Sequence, residues 1–267
     1  MDERNQVATD LLNLTTRLSD KVMELHLPNL FGGKVAKRYD PVNYARQPYQ
    51  EYLNKFFPPG QERRPAGKKI LFLGMNPGWG AAQTGVPFCE SDSDCQLLSI
   101  NCTEVGRPKE AKTDDTDDTD DNPFKNAIRT KCENRLWKLL LKLFDNDVKA
   151  LFSSQLVFVH YYCPVMLLDS EDKYLAVKKL QGGGSATKAG RRKLESLCDE
   201  ALREVVKLLC VTDIVAVGKY PAHAAQRSFH TATKTDNVKI HRISHPDNNK
   251  LLWNETVEKI LRDAQLL

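Results

Sequence analysis

The sequence predicts an α/β protein, a three-layer α/β/α sandwich around a central, mainly parallel sheet of four strands. Three observations lead there. First, four short runs, Ile70–Leu73, Leu156–Val159, Ile214–Val217 and Val238–Ile243, have the length and composition of strands. Second, segments of helical periodicity stand between runs, and strands alternating with helices imply parallel pairing with helices on both faces. Third, the first run ends abruptly in Gly74, Asn76, Pro77 and Gly78. Glycine permits a sharp turn or a close approach, and proline stiffens it. Open α/β sheets bind ligands at the carboxyl ends of their strands, where such loops lie.

The elements follow in order. Ala8 to Leu25 carries Leu11, Leu14, Leu18, Val22 and Leu25 on one side and reads as an N-terminal amphipathic helix over 8–25. Pro58 to Lys68 is a polar turn region ahead of the first strand. Ser91 to Asn122 has no sustained periodicity. Its Asp/Thr run, centred on 113–122, reads as a solvated, disordered acidic insertion around 103–122. Pro123 to Phe144 reads as a buried helix. Gly182-Gly183-Gly184-Ser185 reads as a flexible loop, and Gly190 to Leu209 as a helix with Leu194, Cys198, Ala201, Val205 and Leu208 on one face. Gly218 ends the third strand, Tyr220 to Phe229 forms a helix, and Asn254 caps a last helix through Leu261. The even scatter of apolar runs and the absence of an internal repeat point to one domain over 1–267.

Composition narrows the class. With 39 basic and 35 acidic residues the net charge is +4. The segment from Thr113 to Asn122 holds six Asp and no Lys or Arg, so the rest of the chain is distinctly more basic. A basic body suits phosphate neutralisation, although a well-solvated surface explains charge equally well. No run approaches the roughly 20 apolar residues that span a bilayer, and the first residues do not read as a secretory signal. Seven cysteines, an odd number, are expected to be reduced thiols. Cys89, Cys95 and Cys102 are regularly spaced but lack a matching fourth ligand, so neither a metal nor an organic cofactor is expected.

The stretch from Ile70 to Glu90 carries the most chemistry. Gly74-Met75-Asn76-Pro77-Gly78, followed by Ala82-Gln83-Thr84-Gly85-Val86-Pro87-Phe88, resembles the single-strand-selective monofunctional uracil-DNA glycosylases, within the uracil-DNA glycosylase superfamily. Tyr39-Asp40-Pro41-Val42-Asn43-Tyr44-Ala45, with Pro48 and Tyr52, is similar to the family's segment ahead of the first strand. His245-Pro246, after the fourth strand, is similar to its second catalytic motif.

The resemblance implies roles. Enzymes of this kind flip a nucleotide from the stack and read its polar edge. Asn76 would position the attacking water, although an Asn beside Pro and Gly also stabilises its own turn. His245 would aim an N–H at the uracil O2 and stabilise the departing anion. Phe88 would stack on the base, with a core role as the rival reading. Gly74, Met75 and Gly78 would line the pocket, Gly78 leaving space near the pyrimidine 5-position. Lys250 would touch a phosphate, although most single lysines are simply solvated.

Two departures stand out. The family's His-Asn-x-Cys-Pro pattern is here His160-Tyr161-Tyr162-Cys163-Pro164, which puts Tyr161 where an amide would read uracil. A phenol offers one hydroxyl on a larger ring. Either Tyr161 partly fills the pocket, or the backbone reads the base, or the substrate differs. The loop after His245 is also short, which weakens duplex opening and favours single strands or mismatches. The resemblance thus implies removal of uracil or a 5-modified uracil, such as 5-hydroxymethyluracil, from single-stranded or lesion-bearing double-stranded DNA. The product is an abasic site, made without strand cleavage, by a nuclear, monomeric enzyme. The alternatives are a glycosylase for hypoxanthine or xanthine, and a DNA-damage binding protein with little turnover.

Overall fold

A computed structural model describes residues 6–26, 31–59, 67–102, 135–180, 184–230, 238–246 and 253–266. Helix α1 spans Gln6–Glu24. Strand β1 (Lys37–Tyr39) leads into α2 (Pro41–Tyr44) and α3 (Arg46–Phe56). Strand β2 (Ile70–Gly74) is followed by α4 (Trp79–Thr84) and α5 (Asp92–Leu97). Next come α6 (Arg135–Lys142), α7 (Val148–Ser153), β3 (Val157–Tyr161) and β4 (Met166–Leu168). The last described elements are α8 (Ser185–Leu209), β5 (Asp213–Val217), α9 (Lys219–His230), β6 (Lys239–Ile243) and α10 (Trp253–Asp263).

The expected sheet is present, with order β3-β2-β5-β6 and every pair parallel. Strands β2 and β5 are buried along their whole length, as central strands covered on both faces must be. Strand β6, at one edge, exposes Lys239 and Arg242 and buries Ile243. The chain leaves β2 toward β3 and leaves β5 toward β6. The crevice between the ends of β2 and β5 is therefore a topological switch point, the usual place for a ligand in an open α/β sheet.

Helix α1 buries Leu11, Leu14, Leu18 and Val22 at three- and four-residue spacing and packs on α8 and α3. Asp40 caps α2 by accepting the amides of Val42 and Asn43. Tyr52, on α3, is fully buried and donates to the carbonyl of Val159 at 2.6 Å, which ties that helix to β3. Gly85 closes α4 at φ 71°, and a Cβ there would meet Ala45 Cβ at 2.5 Å. Only glycine combines that dihedral with that approach.

Several expectations need correction. A two-stranded antiparallel sheet, β1 with β4, was not expected, because three-residue strands are too short to show a period. Helix α8 begins at Ser185, ahead of Gly190, because one glycine inside a long amphipathic helix does not stop it. Asn254 is the second residue of α10 and not its cap. Cys95 and Cys102 form a disulfide rather than reduced thiols. Cys89, Cys163 and Cys198 are free and buried, and Cys210 is free and exposed. The acidic insertion around 103–122 and the first part of the helix expected from Pro123 lie outside the described residues.

Candidate active site

Strand β2 ends at Gly74, opposite Tyr161 at the end of β3 in the parallel register. The ladder continues one step further, with the Tyr162 amide donating to the Gly74 carbonyl at 2.9 Å and the Cys163 amide to the Met75 carbonyl at 2.9 Å. These bonds fix the backbone under Tyr161. Phe88 returns to the same place from the loop after α4. The two rings stack with centroids 5.1 Å apart and planes 26° apart. The Phe88 amide donates to the Tyr161 hydroxyl at 3.0 Å. Burial pushes the Tyr161 phenol well above its ordinary value of 10.0, so it stays neutral.

Phe88 has φ 58°, in the left-handed region that a bulky side chain rarely adopts. Such a conformation costs on the order of 1–3 kcal/mol and persists only where its surroundings over-determine it. Here they do. Thr84 Oγ1 donates to the Cys89 carbonyl at 2.9 Å and accepts the Val86 amide at 3.2 Å. Trp137 Nε1 donates to the Pro87 carbonyl at 2.9 Å. The aromatic ring is thus held over Gly74 by contacts on both sides of it in sequence.

Asn76 is buried, and its carboxamide is largely engaged by its own chain. Its Nδ2 donates to the Leu175 carbonyl at 3.2 Å, and its Oδ1 accepts the Val177 amide at 3.2 Å. The Tyr174 hydroxyl lies 3.0 Å from Oδ1 and 3.1 Å from the Asn76 carbonyl, and its single proton serves one of them at a time. With the hydroxyl on Oδ1, one N–H remains of the two donors and two acceptor pairs that a carboxamide offers. Nothing in the sequence marks the segment from Tyr174 to Val177 as the partner of Asn76, which lies about a hundred residues away.

His245 is exposed, two residues past β6, with its ring 6.4 Å from that of Phe88. Trp253 Nε1 donates to the Ser244 carbonyl at 3.0 Å and so holds the backbone beside it. The structure therefore brings Gly74, Phe88, Tyr161 and His245 together at the ends of three strands. Asn76 follows Gly74 by two residues, but its hydrogen bonds all run to the 174–177 segment and none to His245. Met75 packs on the core at half-burial. A Cβ on Gly78 would meet open space. Lys250 lies outside the described residues. Of the basic clusters, Lys68 and Lys69 precede β2, at the end of the sheet away from the crevice. Lys37 is paired with Asp172 at 2.8 Å. Among the described residues no group of His, Cys, Asp or Glu could hold a metal ion.

Supporting groups lie behind the rings. His160 is 5% exposed, its Nδ1 has no hydrogen-bond partner, and burial lowers its pKa from 6.5 to about 4. It faces a cavity of about 20 Å³ with Tyr49, Pro77 and Tyr161. That volume suits one water, which would satisfy the imidazole. On the next residue but one, the Tyr162 hydroxyl donates to Asp199 Oδ1 at 2.6 Å, and Arg227 Nε donates to Asp199 Oδ2 at 2.7 Å. This network clamps the loop after β3 to α8 and α9.

No family model matches the chain. The single-strand selective monofunctional uracil-DNA glycosylase of Rattus norvegicus is 28% identical over 264 residues, covering 96% of this chain and 83% of the relative. That of Mus musculus is 28% identical with the same coverage, and that of Bos taurus is 27% identical over 96% of this chain and 85% of its own. Over nearly its whole length the chain is similar to single-strand selective monofunctional uracil-DNA glycosylases. The fold agrees. The crystal structure of Pedobacter heparinus SMUG2 superposes with a TM-score of 0.56 at 12% identity, over 95% of this chain and 97% of that one. At that identity the likeness speaks for the α/β architecture alone.

Proposed function

We propose that this protein is a monofunctional DNA glycosylase that hydrolyses the N-glycosidic bond of uracil in DNA and leaves an abasic site. One observation carries the reading. Phe88, held in a strained conformation over Gly74, and His245, from the end of β6, meet at the switch-point crevice where their rings lie 6.4 Å apart. The likeness to glycosylase relatives along nearly the whole chain supports it.

In the reaction a water oxygen bonds to C1′ as the bond from C1′ to the base nitrogen breaks. The electron pair leaves on the base, which ends protonated, and the water proton is released. His245 donates an N–H to the uracil O2 as charge develops there. Phe88 supplies a stacking face. Asn76, with Oδ1 taken up by the 174–177 segment, works as a fixed donor through its remaining N–H and not as a base. Gly74 and Met75 shape the wall, and Gly78 leaves room for a 5-substituent, which extends the substrate to 5-hydroxymethyluracil. Lys250 contacts a DNA phosphate. The enzyme acts as a nuclear monomer on single strands, where unstacking costs least.

A second reading, a DNA-damage binding protein with slow turnover, is favoured by the Tyr161 ring on Phe88. One panel separates them. End-labelled oligonucleotides with one uracil, 5-hydroxymethyluracil, hypoxanthine or xanthine, single- or double-stranded, are incubated and then treated with alkali. Alkali-labile uracil strands that stay intact without alkali support the glycosylase. Tight binding with no base release supports the second reading.

A further inference from the structure

We infer that Tyr161 is the gate of the base slot: its phenol occupies the stacking surface of Phe88 in the resting protein, and a flipped base gains that surface only after the phenol has swung away. The inference rests on the glycosylase reading above and names what regulates that site.

Three observations support it. The ring separation comes first. A flat base between two rings would hold them about 7 Å apart, twice the stacking repeat of about 3.4 Å in DNA. The Phe88 and Tyr161 centroids are 5.1 Å apart at 26°, so the pair is closed. The floor comes second. A Cβ on Gly74 would lie 2.6 Å from Phe88 Cε2 and 2.7 Å from Tyr161 Cδ1, so both rings rest on the same Cα and no space is left beneath them. The hydroxyl comes third. It accepts the Phe88 amide at 3.0 Å, which latches the phenol to the residue it covers.

The route of opening is also constrained. The cavity that Tyr161 lines with His160, Tyr49 and Pro77 is about 20 Å³, room for a water and not for a ring. The displaced phenol therefore leaves by a way other than that cavity. A site that is open only a fraction of the time binds with its affinity reduced by that fraction. Tyr161 thus sets the same toll on every base, and the bases that meet it are those already extrahelical or weakly stacked.

The test uses the full chain. Equilibrium dialysis measures binding of radiolabelled free uracil, and steady-state kinetics follow uracil release from a single-stranded oligonucleotide, for wild type, Tyr161→Ala, Tyr161→Phe and Tyr161→Asn. The gate requires that Tyr161→Ala binds uracil at least tenfold tighter and raises kcat/KM at least tenfold, chiefly through KM. Tyr161→Phe, which keeps the ring and loses the latch, should fall between. If the alanine variant does not fold, the asparagine variant takes its place with the same expectation. An active wild type whose small variants bind uracil no tighter, or lose kcat/KM, overturns the gate and leaves the glycosylase reading standing. Failure of every protein both to bind uracil and to release it overturns the two together.

Discussion

A Cβ placed on Gly74 would stand 2.6 Å from Cε2 of Phe88. That distance is far below van der Waals contact, and the second ring at 2.7 Å closes the other way out. Gly74→Ala is therefore expected to displace Phe88 and Tyr161 together. Overpacking of this kind costs about 1–3 kcal/mol. The expected outcome is a lower melting temperature with at least a hundredfold loss of base release, read by thermal unfolding and the oligonucleotide assay on one preparation.

Asn76→Ala should lose stability as well as activity. The substitution orphans the Val177 amide and the Leu175 carbonyl, both now bonded to the carboxamide at 3.2 Å. Each unsatisfied buried group costs about 1–3 kcal/mol, so the two together cost about 2–6 kcal/mol. Urea unfolding should show a loss in that range. Full stability with lost activity would mean that the 174–177 segment finds other partners.

His245→Ala should behave in the opposite way. The side chain is exposed, so its loss should leave the unfolding free energy in urea within about 0.5 kcal/mol of wild type. Removal of a transition-state donor typically costs about 10²–10³ in kcat. A drop of that size at an unchanged midpoint, in the same assay, is the expected pairing.

His160 makes stability depend on pH. Burial holds its folded pKa at about 4, against an ordinary 6.5. Between these values the unfolded chain binds the proton and the folded one does not. The stabilising contribution is thus complete above about pH 6.5 and is lost as pH falls toward 4, by up to about 3 kcal/mol at 1.36 kcal/mol per pK unit. Urea unfolding of wild type and His160→Gln at pH 7.5 and 4.5 should show a smaller acid loss in the variant. Equal losses would place the acid sensitivity elsewhere.

The fold was largely legible because its signals are local. Ile70 to Leu73 and Ile214 to Val217 are continuous apolar runs, and central strands need little else. Edge elements were less so. Strands β1 and β4 exist only because Lys37–Tyr39 and Met166–Leu168 meet in space, and no window of sequence holds both. The disulfide was missed for a different reason. Cysteine count and compartment argue about the chain as a whole, whereas Cys95 and Cys102 are joined because α5 and the turn after it bring them together. At the site, motif resemblance picked out Phe88 and His245, and the structure puts their rings near each other. It could not reveal that Asn76 is held by Tyr174, Leu175 and Val177, since those contacts are long-range and carry no pattern. Nor could spacing choose among the three readings of Tyr161. Only the placement of its ring on Phe88 favours the filled pocket.

On the proposed function, a base is cut from DNA at the crevice where Phe88 and His245 meet. The most direct measurement is the single-turnover rate of uracil release from a single-stranded oligonucleotide, compared between wild type and His245→Ala at equal folded concentration. Alkali-labile sites are expected from the wild type, with no cleavage before alkali, and a rate at least a hundredfold lower in the variant. No release by the wild type, or equal rates from the two proteins, would contradict it.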